Sequence, residues 1–495
     1  MALFSRLSSL FRGPEEFDLT SGDIGKPLFF LAMPIVVTNL FQTAYNLADT
    51  FWLGQYNTDA LAAISFAFPM VFLLISLGMG ISVAGSVLVA QFTGANEERE
   101  AEYAASQTVT FAVIASVLLG VVGYFGVDTF LGLMGASQDV LPMATSYMEV
   151  ISLGLVFMFG FFVFIALMRG YGDTITPMLV MFGSVVLNIV IDPFLIFGWT
   201  VVENAPLVGT VAFPELGIQG AAVATVFSRA LALVVGLAIM FRGNRGVQIH
   251  LRDMVPDLSY LRRLVRIGLP ASIEGTGRAV SMNLLLVIVA MFPDTVVAAY
   301  GIGTRVFSVV FLPAVAVARG VETMTGQNMG ANKPDRAEQA AGLAAKVLFG
   351  VLTVAGIVVF LFPEPIVSTF VGSDQANATQ VVGVGTEFLR YVALTFGFIG
   401  IMRAYTGSFR GAGKTLTAAA ISVVTLGVIR FPVAWITAAG PLGETGVWLS
   451  FAVSNVAGAI IAYAWYRRGT WRGSDLTESR VDLDETSVEP AAGDD

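Results

Sequence analysis

Two carboxylates, Asp49 and Asp192, stand inside stretches that are otherwise apolar, and each has polar company at helical spacing. Gln42, Tyr45, Asn46 and Asp49 recur every three or four residues and would form one polar stripe on a helix. Asn188 and Asp192 lie four apart and share a face. Charge inside a membrane is expensive, and desolvation disfavours the ionised form of a carboxyl group. A pair of such groups can load a proton on one side of a bilayer and lose it on the other, or hold a sodium ion. Tyr147 and Thr225 fall at matching depth on two further apolar stretches. For either aspartate alone, capping a helix end or sitting in headgroup water is an equally good account. The pair, with Asn188, Tyr45 and Thr225 at the same level, favours the proton-handling reading.

The second half of the chain lacks this set. It carries Glu274 with Arg278, Arg305, Arg319 with Glu322, Arg390, Arg403 and Arg430. Glu274 and Arg278 are four apart and read as a self-neutralising pair. Glu322, Arg319 and Gln327 read as gate structure near a helix end. Met282, Tyr300, Phe307, Phe311 and Met324 could line a greasy substrate surface, and Gln42 and Asn46 a polar one. Methionines and aromatics at helical spacing more often simply pack or face lipid.

The elements that must position these residues are apolar helices. Of 495 residues, 56% are hydrophobic and 13% charged, against about 25% charged in an ordinary soluble domain. The excess comes in blocks long enough to cross roughly 30 Å of hydrocarbon, as at 61–90, 144–168, 178–197 and 418–439. Twelve spans are expected, starting near 27, 61, 100, 140, 173, 216, 262, 294, 334, 376, 414 and 444. Basic residues cluster after even-numbered spans (Arg99, Arg169, Arg242, Arg245, Lys333, Arg336, Arg410, Lys414) and near the termini. The intervening loops carry Asp59, Asp128, Glu203, Asp294, Glu364 and Asp374. The positive-inside rule then places both termini in the cytoplasm.

The chain contains itself twice. Gln91-Phe-Thr-Gly-Ala-Asn96 recurs as Gln327-Asn-Met-Gly-Ala-Asn332, and Arg169-Gly-Tyr-Gly-Asp-Thr174 as Arg410-Gly-Ala-Gly-Lys-Thr415. Leu216-Gly-Ile-Gln-Gly220 recurs as Leu442-Gly-Glu-Thr-Gly446. This predicts an all-α integral membrane protein of two pseudo-symmetric six-helix lobes, with the substrate path between them. The division expected is a leader at 1–26, a first lobe at 27–245, a linker at 246–261, a second lobe at 262–468 and an acidic tail at 469–495. Phe4, Leu7, Leu10 and Phe11 could form a short interfacial helix, and the tail reads as solvated and disordered.

Several function classes are excluded. With no cysteine there is no disulfide, thiolate metal site or cysteine nucleophile, and the single His250 leaves no histidine pair for zinc. Gly411-Ala-Gly-Lys-Thr415 looks like the end of a phosphate-binding loop, but Ser408 stands where that motif needs glycine, and the repeat copy puts Asp173 at the lysine. It reads as a tight turn. Without a nucleotide site or cofactor, an ion gradient must drive any uphill transport.

Tyr45-Asn-Leu-Ala-Asp-Thr-Phe-Trp-Leu-Gly54, together with the doubled motifs, resembles multidrug and toxic compound extrusion (MATE) transporters over residues 20–470. Asn188-Ile-Val-Ile-Asp192-Pro193 resembles their DinF-type branch, which includes archaeal members; acid enrichment with only four lysines is similar to proteins of salt-loving archaea. The resemblance implies a proton-responsive cluster of Tyr45, Asp49, Tyr147, Asn188, Asp192 and Thr225. No acidic residue stands deeper in helix seven, as another bacterial branch has it; Glu274 lies nearer the start. The expectation is a monomeric antiporter of the plasma membrane, exporting small amphipathic, cationic organic compounds against protons or sodium, with no nucleic acid partner. A flippase for lipids or lipid-linked oligosaccharides is the nearest rival. A membrane-embedded enzyme would need its acids at a cytoplasmic face, where Asp49 and Asp192 are not expected.

Overall fold

The computed structural model describes residues 18–133, 138, 140–205, 209–371, 377–473 and 476–477. The candidate interfacial helix at 4–11 and, in the acidic tail, residues 474–475 and 478–495 lie outside the described residues, whereas Trp471 at the start of that tail is buried. Ten helices are long and apolar enough to cross a membrane, and two bent pairs bring the number to twelve. Spans one to three are Gly25–Tyr56, Thr58–Gly94 and Glu98–Leu133. Span four is Leu141–Leu153 joined to Leu155–Tyr171 at 55°. Spans five and six are Ile175–Phe197 and Ile218–Arg242. Span seven is Leu258–Val289, span eight Asp294–Gly330 and span nine Pro334–Leu361. Span ten is Ala378–Ala393 joined to Phe396–Gly411 at 50°, span eleven is Thr415–Ala438 and span twelve Gly443–Arg467. Each starts within a few residues of the expected position, and the repeat extends to the bend shared by spans four and ten.

Local chemistry accounts for the breaks. Asn57 accepts from the Ala60 amide and starts span two; Asp257 accepts from the Ser259 and Tyr260 amides and starts span seven. Span eleven passes through a π-helical segment, Val424–Arg430, immediately before Pro432. Proline has no amide hydrogen to give an i−4 carbonyl, so the ladder slips to the wider register there. The loop at 199–215 is not wholly irregular: Trp199–Ala205 and Gly209–Phe213 pair as an antiparallel hairpin, a local exception to the all-α expectation.

Buried apolar side chains follow the halves, with exchange at spans one and seven. One core joins residues from Leu285 to Trp471 with Leu19, Leu28 and Leu31. Two lie between Tyr45 and Ile267 and take in the start of span seven, and a small one joins Val83 and Val87 to Ala271. The outer faces are apolar, as on span three, where Leu118, Val122 and Phe125 are 63%, 66% and 80% exposed along one stripe. Such a stripe suits lipid. The halves meet through spans one and two against seven and eight, including a close crossing where Ser272 donates to the Leu77 carbonyl at 2.9 Å.

Candidate functional site

Eight of the ten residues singled out as site candidates come together in the first half. Span one carries Gln42, Tyr45, Asn46 and Asp49 near the end of the bundle opposite the arginine-rich loops. Tyr45 and Asp49 point into the bundle at 6% and 4% exposure, whereas Asn46 is exposed. Asn188 and Asp192 on span five are completely buried. The Asp49 carboxyl faces that of Asp192, with the Tyr45 and Thr225 hydroxyls beside it and Tyr147 close to both acids. Tyr45 and Thr225 share a hydrogen bond of 2.5 Å, and Asn188 donates to Asp192 Oδ1 at 3.1 Å.

One member was not singled out in the sequence. Arg229, one turn beyond Thr225 on span six, is 2% exposed. Its guanidinium lies over the Tyr45 ring at 4.8 Å and the Phe161 ring at 5.3 Å and donates to Gln42 Oε1 at 2.9 Å. Gln42 in turn donates to Asn46 Oδ1 at 3.1 Å. An arginine four residues from Thr225 inside an apolar span is itself the signal; it passes unnoticed among the many arginines that mark helix ends.

Among the described residues, Asp49 Oδ1, Asp192 Oδ2 and Asn188 Oδ1 are buried without a hydrogen-bond partner. Two carboxylate oxygens and one amide oxygen in this cluster are thus left without a donor. With Arg229 permanently charged, the two acids and the arginine sum to −1, to zero with one proton and to +1 with two. The site can therefore accept protons without ever placing a large net charge in the membrane.

The other two candidates lie elsewhere. Met282 is 51% exposed on span seven. Tyr300 is 7% exposed, packed among Phe388, Trp448 and Phe451 of the second half's core, and does not face the polar stripe.

At the opposite, arginine-rich end the doubled motifs lock the halves together. Gln91 donates its side-chain amide to the Gly411 carbonyl at 2.9 Å; Gln327 donates to the carbonyls of Gly170 at 3.2 Å and Tyr171 at 3.0 Å. A Cβ on Gly94 would sit 1.9 Å from the Gln327 carbonyl oxygen, and one on Gly330 1.8 Å from that of Gln91, so only glycine permits this approach. Asn96 and Asn332 close each motif with φ of 61° and 56°, the left-handed turn that asparagine tolerates. Gly411-Ala-Gly-Lys-Thr415 is a turn, with Gly413 at φ +74°.

Above this lock lies a buried ionic network. Glu274 meets Arg410 at 3.1 Å, Arg278 at 3.4 Å and Arg403 at 3.7 Å, and accepts from Ser422 at 3.0 Å. Glu322 meets Arg319 at 2.9 Å and Arg410 at 3.0 Å. Arg169 stands near Arg319 and Glu322. The expected Glu274–Arg278 pair is thus one edge of a larger network in which Arg410, from the second doubled motif, bridges both glutamates. Arg430 is held apart from it by Ser454 at 2.8 Å and Asn455 at 2.9 Å.

Residues 34–194 and 270–436, one segment in each half, match the MatE family. Over 92% of its length the chain is 27% identical to "Probable multidrug resistance protein YoeA" of Bacillus subtilis (strain 168), covering 96% of that protein. It is 27% identical to "Probable multidrug resistance protein NorM" of Thermotoga maritima, over 93% of this chain and 96% of that one. The "FAD transporter" of Shewanella oneidensis is also 27% identical, with 90% and 95% covered. Among solved structures, one titled "Outward-facing conformation of a multidrug resistance MATE family transporter of the MOP superfamily" superposes with a TM-score of 0.82 at 25% identity, covering 91% of this chain and 97% of that one. With each half of a twelve-span array matching this model, the chain belongs to the MatE family.

Proposed function

We propose that the chain is a secondary antiporter that exports amphipathic organic compounds, cationic ones included, in exchange for protons or sodium entering the cell. The observation that carries this reading is the Asp49/Asp192 pair with its three unpartnered oxygens and the Arg229 counter-charge. The names of the relatives support the substrate class, and the basic loops support a plasma-membrane protein with both termini cytoplasmic. Among the described residues, the side-chain hydrogen bonds between spans of the two halves cluster toward the arginine-rich end. The cleft between the segments 27–245 and 262–468 is then closed toward the cytoplasm and open outward, where Asp49 takes up its cation. Proton uptake weakens the attraction between Asp49 and Arg229. Span one then bends about Pro34, whose missing amide hydrogen leaves the helix pliant, and the two lobes rock.

The test is efflux of a cationic dye from liposomes under an imposed proton gradient and then a sodium gradient, for wild type and Asp49→Asn. Wild-type efflux under one gradient and a silent variant support the reading and name the ion. Equal efflux by the variant removes Asp49 from the mechanism. The arginine surplus around Glu274 favours a second reading, flipping of lipids or lipid-linked oligosaccharides. It predicts that neither gradient moves the dye while a fluorescent anionic lipid changes leaflet.

A further inference from the structure

A groove of about 630 Å³ opens on the outer face of the second half, between spans nine, ten and twelve, away from the polar cluster and the ionic network. Its upper walls are Phe349, Phe398, Ile401 and Ile460. Its floor is the pair Tyr405 and Tyr466, whose rings are tilted 40° to one another with centroids 4.7 Å apart. At its arginine-rich end stand Lys346, Arg467 and Glu338. Glu338 is already engaged by Arg472, which also holds Asp335 at 2.6 Å. Lys346 and Arg467 are exposed and make no ion pair among the described residues. The transport reading uses neither of them.

Because the groove opens on a face that borders lipid, the default occupant of its apolar part is an acyl chain. Two unopposed cations at one end change what the head of that lipid should be. A lysine this far along span nine can reach the headgroup level only by extending its butyl stem along the groove, and Arg467 ends span twelve at that level. A phosphodiester would complement both charges, with Tyr463 at the border between head and chain. We propose that this groove is a binding site for one anionic phospholipid, its phosphate held by Lys346 and Arg467 and one acyl chain lying against Phe349, Phe398 and Ile460.

The experiment is native mass spectrometry of the full chain titrated with phosphatidylglycerol or phosphatidylcholine, for wild type, the double variant Lys346→Gln/Arg467→Gln and the control Arg468→Gln. Arg468 is exposed beside the groove and does not line it. With each cation contributing about fivefold, wild type should retain one phosphatidylglycerol roughly 30-fold more strongly than phosphatidylcholine. The double variant should lose that preference with its phosphatidylcholine binding unchanged, and Arg468→Gln should keep it. Melting of each variant in detergent without lipid separates a lost site from a lost fold. Equal retention of both lipids by wild type overturns the proposal, as does a preference that survives in the folded double variant. A loss in Arg468→Gln as large as in the double variant would mean diffuse surface charge and also overturns it. Retention of soluble glycerol phosphate as strong as that of phosphatidylglycerol overturns it as well.

Discussion

Gln91 donates to the carbonyl of Gly411 across the boundary between the halves at 2.9 Å, and its repeat partner Gln327 makes the reciprocal bond to Gly170. Each copy of one doubled motif grips the other half's copy of the second. Two motifs that the sequence shows only as repetition are therefore one device, a pseudo-symmetric latch.

Gln91 makes one of these buried bonds and Gln327 two, each contributing about 1 kcal/mol, so Gln91→Ala/Gln327→Ala should shift the balance toward the latch-open form by roughly 150-fold. The chain has no cysteine, so a single one introduced at Thr323, beside the latch, can report opening by its rate of thiol labelling. Unchanged labelling in the double variant would deny the latch. Gly330→Ala, which drives a Cβ into the Gln91 carbonyl, should act in the same direction.

Arg229 and Asp49 should be energetically coupled. Arg229→Gln removes the buried positive charge that acts on Asp49 through space, and should lower the melting temperature. Arg229→Gln/Asp49→Asn should recover a large part of that loss in a thermal melt. Additive losses would show that the two groups do not sense one another.

Glu322→Gln strips the partner shared by Arg319 and Arg410 and should destabilise by about 3–5 kcal/mol, the cost of breaking a buried charge pair. Glu322→Asp, which keeps the charge, should cost visibly less. Equal costs would mean that packing, not charge, sets the role of Glu322.

Outside the spans, Asp253 is fastened to Arg99 at 2.7 Å, and that hydrogen bond holds its carboxyl below the usual carboxylate value. The folded form therefore favours the ionised group. The resulting stabilisation is complete above the ordinary carboxylate value of about 4 and is lost as pH falls through the lower folded value. Arg99 is half exposed, so Arg99→Gln should cost only about 0.5–1 kcal/mol at neutral pH. The gap to wild type should close below about pH 4. A gap that persists at pH 3 would assign the effect to packing.

What could be read in advance follows from contrast. Asp49 and Asp192 stand out because a carboxylate in an apolar block is costly, and helical spacing brings their neighbours with them. Arg229 has the same cost but hides among arginines that mark loop ends. The helix starts were legible from block length and turn residues. The hairpin at 199–213 was not read, although Thr200-Val-Val and Thr210-Val carry β-branched residues on either side of a break. Pairings such as Gln91 with Gly411, or Arg410 with both glutamates, are contacts between distant segments, and periodicity carries no record of them.

The network around Glu274 and Glu322 sets five guanidinium groups (Arg169, Arg278, Arg319, Arg403, Arg410) against two carboxylates, a surplus of three positive charges. Four of the five and both glutamates belong to the second half, which therefore holds a net two positive charges. If that half rocks during the cycle, it carries those charges through part of the transmembrane field, where one elementary charge moved across 100 mV changes the energy by about 2.3 kcal/mol. The turnover of this carrier should then respond to voltage as well as to ion gradients. An inside-negative potential would pull the network inward and bias the resting population toward one orientation before any substrate or coupling ion binds.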